Sequence, residues 1–285
     1  MTKINYFNIV FLAVFFTKIS YADVYIKSLK GGVLTFSQEK KGEHYDSNSW
    51  GGITFSNHDF SADLSRSDRY YIEDGSSKLS PSGKYLIVTS VSGGYLEYGD
   101  GTKKYTEKAY CSVVDMNSGC IVSDWDGEAC GYTWVRNKDV LASSENTNAN
   151  RFDFESMRPM INKITDNLYG IDNSELANII RCDSPSKENI NNYQQLVNKN
   201  QSIRGVILKP ISNYLNKIAI ESLVKVKSEL FTSPDDNNKT KAYLVTGDKV
   251  KVIQNSSDKK WLNVGYINSK GVPLVAWIKA DTVAK

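Results

Sequence analysis

Short runs in which apolar and polar residues alternate recur over much of the chain, and a period of two is typical of half-buried β-strands. Before residue 145 such runs occupy VYIKSL, VLTF, Ile53–Phe55, Arg69–Glu73 and Tyr85–Val91. Lys30-Gly31-Gly32 separates the first two runs, and glycine suits the positive φ angles of a tight hairpin turn. We therefore predict that residues 23–145 form an N-terminal module of β-hairpins.

Apolar residues change to a three- and four-residue spacing within residues 146–221, which predicts short helices. One helix is expected to end at Gly170 and is indicated by Met157, Met160, Ile161, Ile164 and Leu168. Two more helices are expected over residues 173–180 and 186–197, separated by Pro185. The polar residues 143–152 are predicted to be a linker, and residues 203–223 give no clear pattern. We expect the helices to bridge two β modules.

Alternation returns after residue 222, in three runs separated by polar turns: Val250/Val252, Leu262/Val264/Tyr266 and Val275/Trp277. This segment resembles the bacterial SH3-like (SH3b) family in its LFTSP opening (230–234), AYLVTGDKVKVI (242–253), Trp261 and WIKADTV (277–283). The resemblance implies a five-stranded barrel over residues 222–285 that binds rather than catalyses. The fold class predicted for the whole chain is thus mostly β with a helical bridge, an α+β protein.

The same resemblance implies aromatic rings beside a peptide groove. Trp261 follows a charged turn and begins a strand, a position that can expose part of its indole, and Tyr266 lies on the same strand. Asp235 and Asp236 belong to a polar loop that is either simply solvated or the specificity loop of the barrel. Trp277, within an apolar run, is expected in the core. Binding is therefore assigned to Trp261, Tyr266, Asp235 and Asp236.

Residues 80–141 contain two further motifs, SPSGKYL at 80–86 and VVDMNSG at 113–119. They resemble the repeated sequences of a β-propeller blade. A propeller needs at least four blades of about 40 residues, and this region has room for three at most. We expect a meander or sandwich of blade-like hairpins instead of a closed propeller.

Residues 1–22 have the features of a secretory signal peptide: Lys3, an apolar run from Ile9 to Phe16 and a Ser20-Tyr21-Ala22 cleavage site. A run this short cannot cross a hydrocarbon core, which takes about 20 residues. Removing the two lysines of this segment from the 35 basic and 32 acidic residues leaves a net charge of +1. We expect an exported, periplasmic or secreted chain without a membrane anchor, and the balanced charge excludes a nucleic-acid partner.

Four cysteines, Cys111, Cys120, Cys130 and Cys182, follow the signal segment, and an even count in an oxidising compartment predicts two disulfides. If residues 115–119 form a hairpin turn, Cys120 lies opposite Val114 and Cys111 projects from the other face. Cys120 and Cys130 flank a second turn, so the favoured pairs are Cys120–Cys130 and Cys111–Cys182. A zinc site is disfavoured because no C-x₂-C pair is present.

The two histidines, His44 and His58, lie in polar loops, and no nucleophile elbow, metal-binding or phosphate-binding motif occurs. The sequence therefore predicts a non-catalytic binding protein without a cofactor or metal. The favoured class is an inhibitor or immunity-type protein that neutralises a secreted antibacterial toxin or blocks another periplasmic protein. The alternative is a cell-wall accessory protein whose barrel binds peptidoglycan peptides.

Overall fold

A large antiparallel sheet is the main feature of the computed structural model, which describes residues 23–45, 48–73, 75, 78–124, 129–143, 151–164, 171–199 and 203–284. The predicted β-rich fold is confirmed. Nine strands form this sheet: β1 (Val24–Lys27), β2 (Val33–Glu39), β3 (Ser49–Ser56), β4 (Ser61–Asp63), β5 (Tyr70–Ile72), β6 (Lys78–Leu79), β7 (Tyr85–Glu97), β8 (Lys103–Asp115) and β9 (Cys120–Ser123). Their spatial order is β1-β2-β3-β5-β7-β8-β9, with β4 beside β3 and β6 beside β7.

The predicted first hairpin is confirmed, because β1 and β2 pair from Lys27↔Val33 outward around a turn that holds Gly31 at a φ of 91°. Successive residues of β7 and β8 point to opposite faces of the sheet, so each strand contributes to two hydrophobic cores. Leu86 and Val114 face one cluster, and Ile87 and Val113 face another. The strands next to the two blade-like motifs, β7, β8 and β9, thus belong to one broad sheet.

A small second sheet covers the Ile87 face: β10 (Tyr132–Trp134), β11 (Leu141–Ser143) and β12 (Arg151–Phe152), in that order. Leu141 pairs with Phe152. Of the predicted linker, residues 144–150 lie outside the described residues. The described part of the predicted linker was predicted wrongly, because Ser143 belongs to β11 and Arg151 and Phe152 form β12.

Four helices follow: α1 (Ile161–Ile164), α2 (Asn173–Cys182), α3 (Ile190–Lys199) and α4 (Arg204–Asn216), with a 3₁₀ turn at Phe154–Met157 before them. The helix predicted from Met157 begins only at Ile161, and its predicted end at residues 165–170 lies outside the described residues. Pro159 explains the later start. The residue before a proline avoids the helical region, and Arg158 has an extended ψ of 123°.

A third sheet of six antiparallel strands closes the chain: β13 (Glu221–Leu223), β14 (Ser228–Phe231), β15 (Lys239–Leu244), β16 (Lys249–Asn255), β17 (Trp261–Ile267) and β18 (Pro273–Lys279). The order is β13-β16-β17-β18-β14-β15, so β13 and β15 are the end strands. Short 3₁₀ turns occupy Asp236–Asn238 and Ala280–Thr282. The helices contact both large sheets: α2 packs on β9, and α3 and α4 pack on β18.

The two disulfides join Cys111 to Cys130 and Cys120 to Cys182. Two disulfides were predicted, but the favoured pairing was wrong. The turn after β8 pairs Cys120 with Asp115 instead of Val114, and a shift of one residue moves a side chain to the opposite face of a strand. Cys120 therefore shares a face and a core cluster with Cys111. From this position Cys120 bonds the last residue of α2.

Candidate binding site

The hairpin formed by β7 and β8 extends well beyond the sheet that carries it. The two strands pair continuously from Tyr85↔Asp115 to Glu97↔Lys103. Other strands flank only the inner part, since β5 pairs with β7 as far as Val91. The outer part, residues 92–108, is here called the arm. With a rise of about 3.3 Å per strand residue, it reaches roughly 20 Å past the sheet.

Three large apolar side chains of the arm are exposed to solvent. Tyr95 is 61 % exposed, Leu96 55 % and Tyr98 48 %. Three acidic and three basic residues accompany them in the arm: Glu97, Asp100, Glu107, Lys103, Lys104 and Lys108. The charges balance, so the aromatic and aliphatic surface distinguishes the arm. Exposed tyrosines on a rigid element are typical of the anchors of protein interfaces.

The loop before β3 braces one face of the arm through His44. The imidazole stacks on the ring of Tyr105, with centroids 3.9 Å apart and planes at 13°, and Nε2 lies 2.9 Å from the Tyr95 hydroxyl. Tyr95 and Tyr105 face each other across the two strands and meet edge to face at 5.2 Å. An isolated two-stranded hairpin is marginally stable in water, and this three-ring cluster supplies packing that a bare hairpin lacks.

Gly93 makes room for this cluster. A Cβ atom at this position would lie 2.1 Å from the hydroxyl oxygen of Tyr105, so a side chain here would displace the ring. Desolvation, followed by the nearby Glu107 carboxylate, raises the pKa of Tyr105 above its ordinary value.

Charged and polar groups fix the base of the arm. The buried Arg69 donates to Asp124 at 2.9 Å, Ser112 donates to the same carboxylate at 2.6 Å, and the guanidinium lies 3.6 Å from the centroid of the Tyr110 ring. The Tyr70 hydroxyl donates to Glu107 at 2.9 Å. A buried charge pair with additional hydrogen bonds holds its members in one geometry, so the arm starts from a fixed platform.

The predicted site residues of the last sheet lie elsewhere. Trp261 is 5 % exposed and packs edge to face on Phe231 with centroids 4.8 Å apart. Lys279 Nζ lies 3.8 Å from the centroid of the Trp261 ring and forms an ion pair with the Asp236 carboxylate at 2.7 Å. The expected exposure of Trp261 is not observed. Trp277 packs in the same buried cluster, as expected.

The structure does not bring all four predicted binding residues together. Tyr266 is half-buried near the other end of β17, about 17 Å along the strand from Trp261, and its hydroxyl lies 3.4 Å from Asp248. Asp235 accepts a hydrogen bond from the Asn237 N–H at 2.9 Å and so begins a 3₁₀ turn. Asp236 and Trp261 both contact Lys279, whereas Tyr266 contacts Asp248 and Asp235 contacts the backbone of Asn237.

Sequence reasoning missed the arm, although a signal was present. The sequence predicts a strand from Tyr85 to Val91, and the glycine-rich stretch from Gly94 to Gly101 indicates a hairpin tip, because Gly-Asp-Gly is ordinary turn chemistry. The observed tip is the turn at residues 98–102, where the Tyr98 N–H donates to the Thr102 carbonyl at 2.8 Å. The contact with His44 joins residues about 50 positions apart and has no local signal.

All four cysteines lie in disulfides, so none offers a thiol beside His44 or His58. His58 is fully exposed, 3.2 Å from Asp59. Among the described residues, no group of three or more histidine, cysteine, aspartate or glutamate side chains is arranged to hold a metal ion. Within the same residues, no helix is long and apolar enough to span a membrane.

No family model matches the chain, and neither a curated protein nor a solved structure with significant similarity to it was found.

Proposed function

We propose that the protein is an exported, non-catalytic inhibitor or immunity-type protein that binds and neutralises another protein, such as a secreted antibacterial toxin or a periplasmic enzyme. The observation that supports this function is the arm, which carries Tyr95, Leu96 and Tyr98 to solvent on a braced hairpin. A narrow projection of this kind fits a concave surface such as an active-site cleft. Two disulfides in the chain suit an oxidising compartment such as the periplasm.

Pre-organisation supports a binding role for the arm. Association costs free energy wherever side chains or loops must be ordered. The stack of His44 on Tyr105 and the Arg69–Asp124 pair fix the arm before a partner arrives. Aromatic anchors on a rigid strand lose little further entropy on binding, and interface energy concentrates in a few such residues.

The assignment of residues 222–285 to the SH3-like family is part of the proposal. Its support is the strand order, in which β14 pairs with both β15 and β18, and the bridge between Val224 and Val283 that brings the end of the chain beside β13. In this proposal the SH3-like unit supports the arm-bearing module through the helices. The burial of Trp261 gives no support to a cell-wall role for that ring.

The test compares two triple variants of the mature, oxidised protein. The first replaces Tyr95, Leu96 and Tyr98 with serine. The matched control replaces Ile220, Leu223 and Val226, three exposed apolar residues outside the arm, with serine. Partners cross-linked in a periplasmic extract are identified, and their affinity and stoichiometry are measured by calorimetry.

We expect one protein partner in a one-to-one complex, a loss of affinity of at least 100-fold in the arm variant, and unchanged binding in the control. The control should melt near the parent, because its replaced side chains are exposed, whereas the arm variant also loses the contacts of Tyr95 with His44 and Tyr105, so its thermal melt and circular dichroism must show a folded protein before its affinity is compared. Unchanged binding by the arm variant would contradict the proposal. So would strong association with purified peptidoglycan sacculi in the absence of a protein partner, which would favour the cell-wall function.

A further inference from the structure

A groove of about 290 Å³ runs between α3 and the last sheet. It forms because β14 and β18 touch at one register pair, Phe231↔Trp277, and then separate. Leu274, Val275 and Ala276 of β18 line one side of the gap, and β14 and β15 line the other. None of the residues that line the groove belongs to the arm.

The helical wall of the groove consists of side-chain carboxamides. Asn191, Gln194, Gln195 and Asn198 all line it. Their spacing of three, four and seven residues places them in one stripe of α3. A carboxamide carries the same donor and acceptor as a peptide group, so a row of them matches the hydrogen-bonding pattern of an extended backbone.

One of these carboxamides already binds backbone in this way. Oε1 of Gln194 accepts a hydrogen bond from the N–H of Val275 at 2.8 Å. Val275 pairs with Gly265 on its other side in the sheet. The N–H and C=O of a strand residue point toward the same edge, so the carbonyl of Val275 also faces the groove.

The remaining carboxamides keep hydrogen-bonding capacity. Oδ1 of Asn191 accepts from Asn263 at 2.8 Å, and Oδ1 of Asn198 accepts from Gln194 at 3.0 Å, which leaves the NH₂ groups of both residues as donors. Gln195 is exposed and makes no hydrogen bond within the described part of the chain. The stripe from Asn191 to Asn198 is about 10 Å long, the span of three residues of an extended chain.

The charged side chains described in the lining of the groove and its extension are basic. A second depression of about 390 Å³ continues it past Gln194, Asn198 and Leu274. Lys241 lines the first part and Arg204 the second, and among the residues that the structure describes no carboxylate lines either part. An occupant that spans both parts meets two cations and is favoured when it carries negative charge.

We propose that this groove binds an extended polypeptide segment that carries acidic side chains. The carboxamide stripe pairs with the backbone of the segment, while Lys241 and Arg204 select its carboxylates. This is a second binding site, separate from the arm, and it gives the protein a way to hold a flexible tail or linker of a partner.

The experiment screens the whole oxidised protein against a displayed library of random dodecapeptides, and the enriched sequences are then synthesised and titrated. Gln195→Glu adds a carboxylate to the stripe, and Lys241→Glu reverses the charge on the opposite wall. Asn192→Asp is the matched control, because it makes the same kind of change on α3 outside the groove. Gln195 and Lys241 are exposed, so these variants should fold normally, and thermal melts verify this.

We expect enriched peptides rich in aspartate and glutamate, with affinity reduced at least tenfold by Gln195→Glu and by Lys241→Glu and changed less than twofold by Asn192→Asp. The triple arm variant should bind them normally, which separates this site from the proposed function. The inference is overturned if the parent protein enriches no peptide sequence more strongly than the Gln195→Glu variant does. It is also overturned if basic sequences are enriched, or if a free peptidoglycan stem peptide binds while the displayed peptides do not.

Discussion

The side-chain amide of Asn178 pairs with the backbone of Ile121 as a neighbouring strand would. Its Oδ1 accepts from the Ile121 N–H at 2.8 Å, and its Nδ2 donates to the Ile121 carbonyl at 3.0 Å. Ile121 belongs to β9, the end strand of the nine-stranded sheet. Helix α2 thereby satisfies an unpaired edge with one carboxamide, and Gln194 of α3 accepts a hydrogen bond from the N–H of Val275 in a similar way.

Replacing Asn178 with alanine should destabilise the protein by about 2–4 kcal/mol, because two buried backbone groups of Ile121 would lose their partners. Urea denaturation of the oxidised protein measures this loss. Asn173→Ala, an exposed change on the same helix, should alter stability by less than about 0.5 kcal/mol. Equal effects of the two changes would mean that the pairing contributes nothing to stability.

The two disulfides should differ in their contribution to stability. Cys120–Cys182 closes a loop with a sequence separation of 62, against 19 for Cys111–Cys130. Loop entropy assigns about 4 kcal/mol to the longer loop and about 3 kcal/mol to the shorter. The double change of Cys120 and Cys182 to serine should therefore lower the denaturation midpoint more than the same change of Cys111 and Cys130. Peptide mapping without reduction must recover both pairs in the parent protein.

Gly265 marks the contact between α4 and the last sheet. A Cβ atom there would lie 2.2 Å from a methyl carbon of Leu215, whose side chain is fully buried and cannot swing into solvent. Gly265→Ala should destabilise the protein by about 1–3 kcal/mol. Gly205→Ala in α4 meets open space and should be neutral or slightly stabilising, because alanine favours helix. Thermal melts of the two variants should shift in opposite directions or differ clearly in size.

Acid should weaken the contact between the 3₁₀ turn and the first sheet. Hydrogen bonds from Arg158 at 2.8 and 2.9 Å, with one from Tyr85, lower the pKa of Glu155. A lowered folded-state pKa stabilises the protein fully above the unfolded value, about 4.3 for glutamate, and the stabilisation is lost as pH falls through the folded value. The stability advantage of the parent over Glu155→Gln should therefore shrink below about pH 4.3.

Urea titrations between neutral and acid pH at constant ionic strength measure this difference. Glu43→Gln, an exposed change in a loop, is the control that removes one carboxylate outside this contact. An advantage over Glu155→Gln that is independent of pH would rule out a role for ionised Glu155.

Local patterns predicted the strands well, since alternation depends on neighbouring residues alone. Helix α4 was missed. Ile203, Ile207, Ile211 and Leu215 recur every four residues and are all buried, but Pro210 and the mixed sequence around them concealed this spacing. Proline lacks the N–H that a helix interior uses. The helix includes it nonetheless, because its apolar stripe packs against the other helices and β18.

The candidate site depends on contacts between residues that are far apart along the chain, and local sequence patterns do not indicate such contacts. The disulfide pairing followed from the register of one turn, and an error of one residue reversed the face of Cys120. The brace of His44 on Tyr105 crosses roughly 60 positions of the chain. The rings of Trp261 and Phe231 meet because β14 and β18 are neighbours, which strand prediction alone does not specify. The sequence predicted where strands form but not which strands pair, and this pairing decides which site residues meet.

The tether between Cys120 and Cys182 also bears on how the chain avoids aggregation. An exposed strand edge is a template onto which other chains can add, and helix α2 covers the edge of β9 through Asn178 and this disulfide. Glutathione in a reducing cytosol opposes the bond. Under the export proposed above, chains that remained in that compartment would hold α2 less firmly and offer β9 to one another, whereas oxidised chains would keep this edge covered.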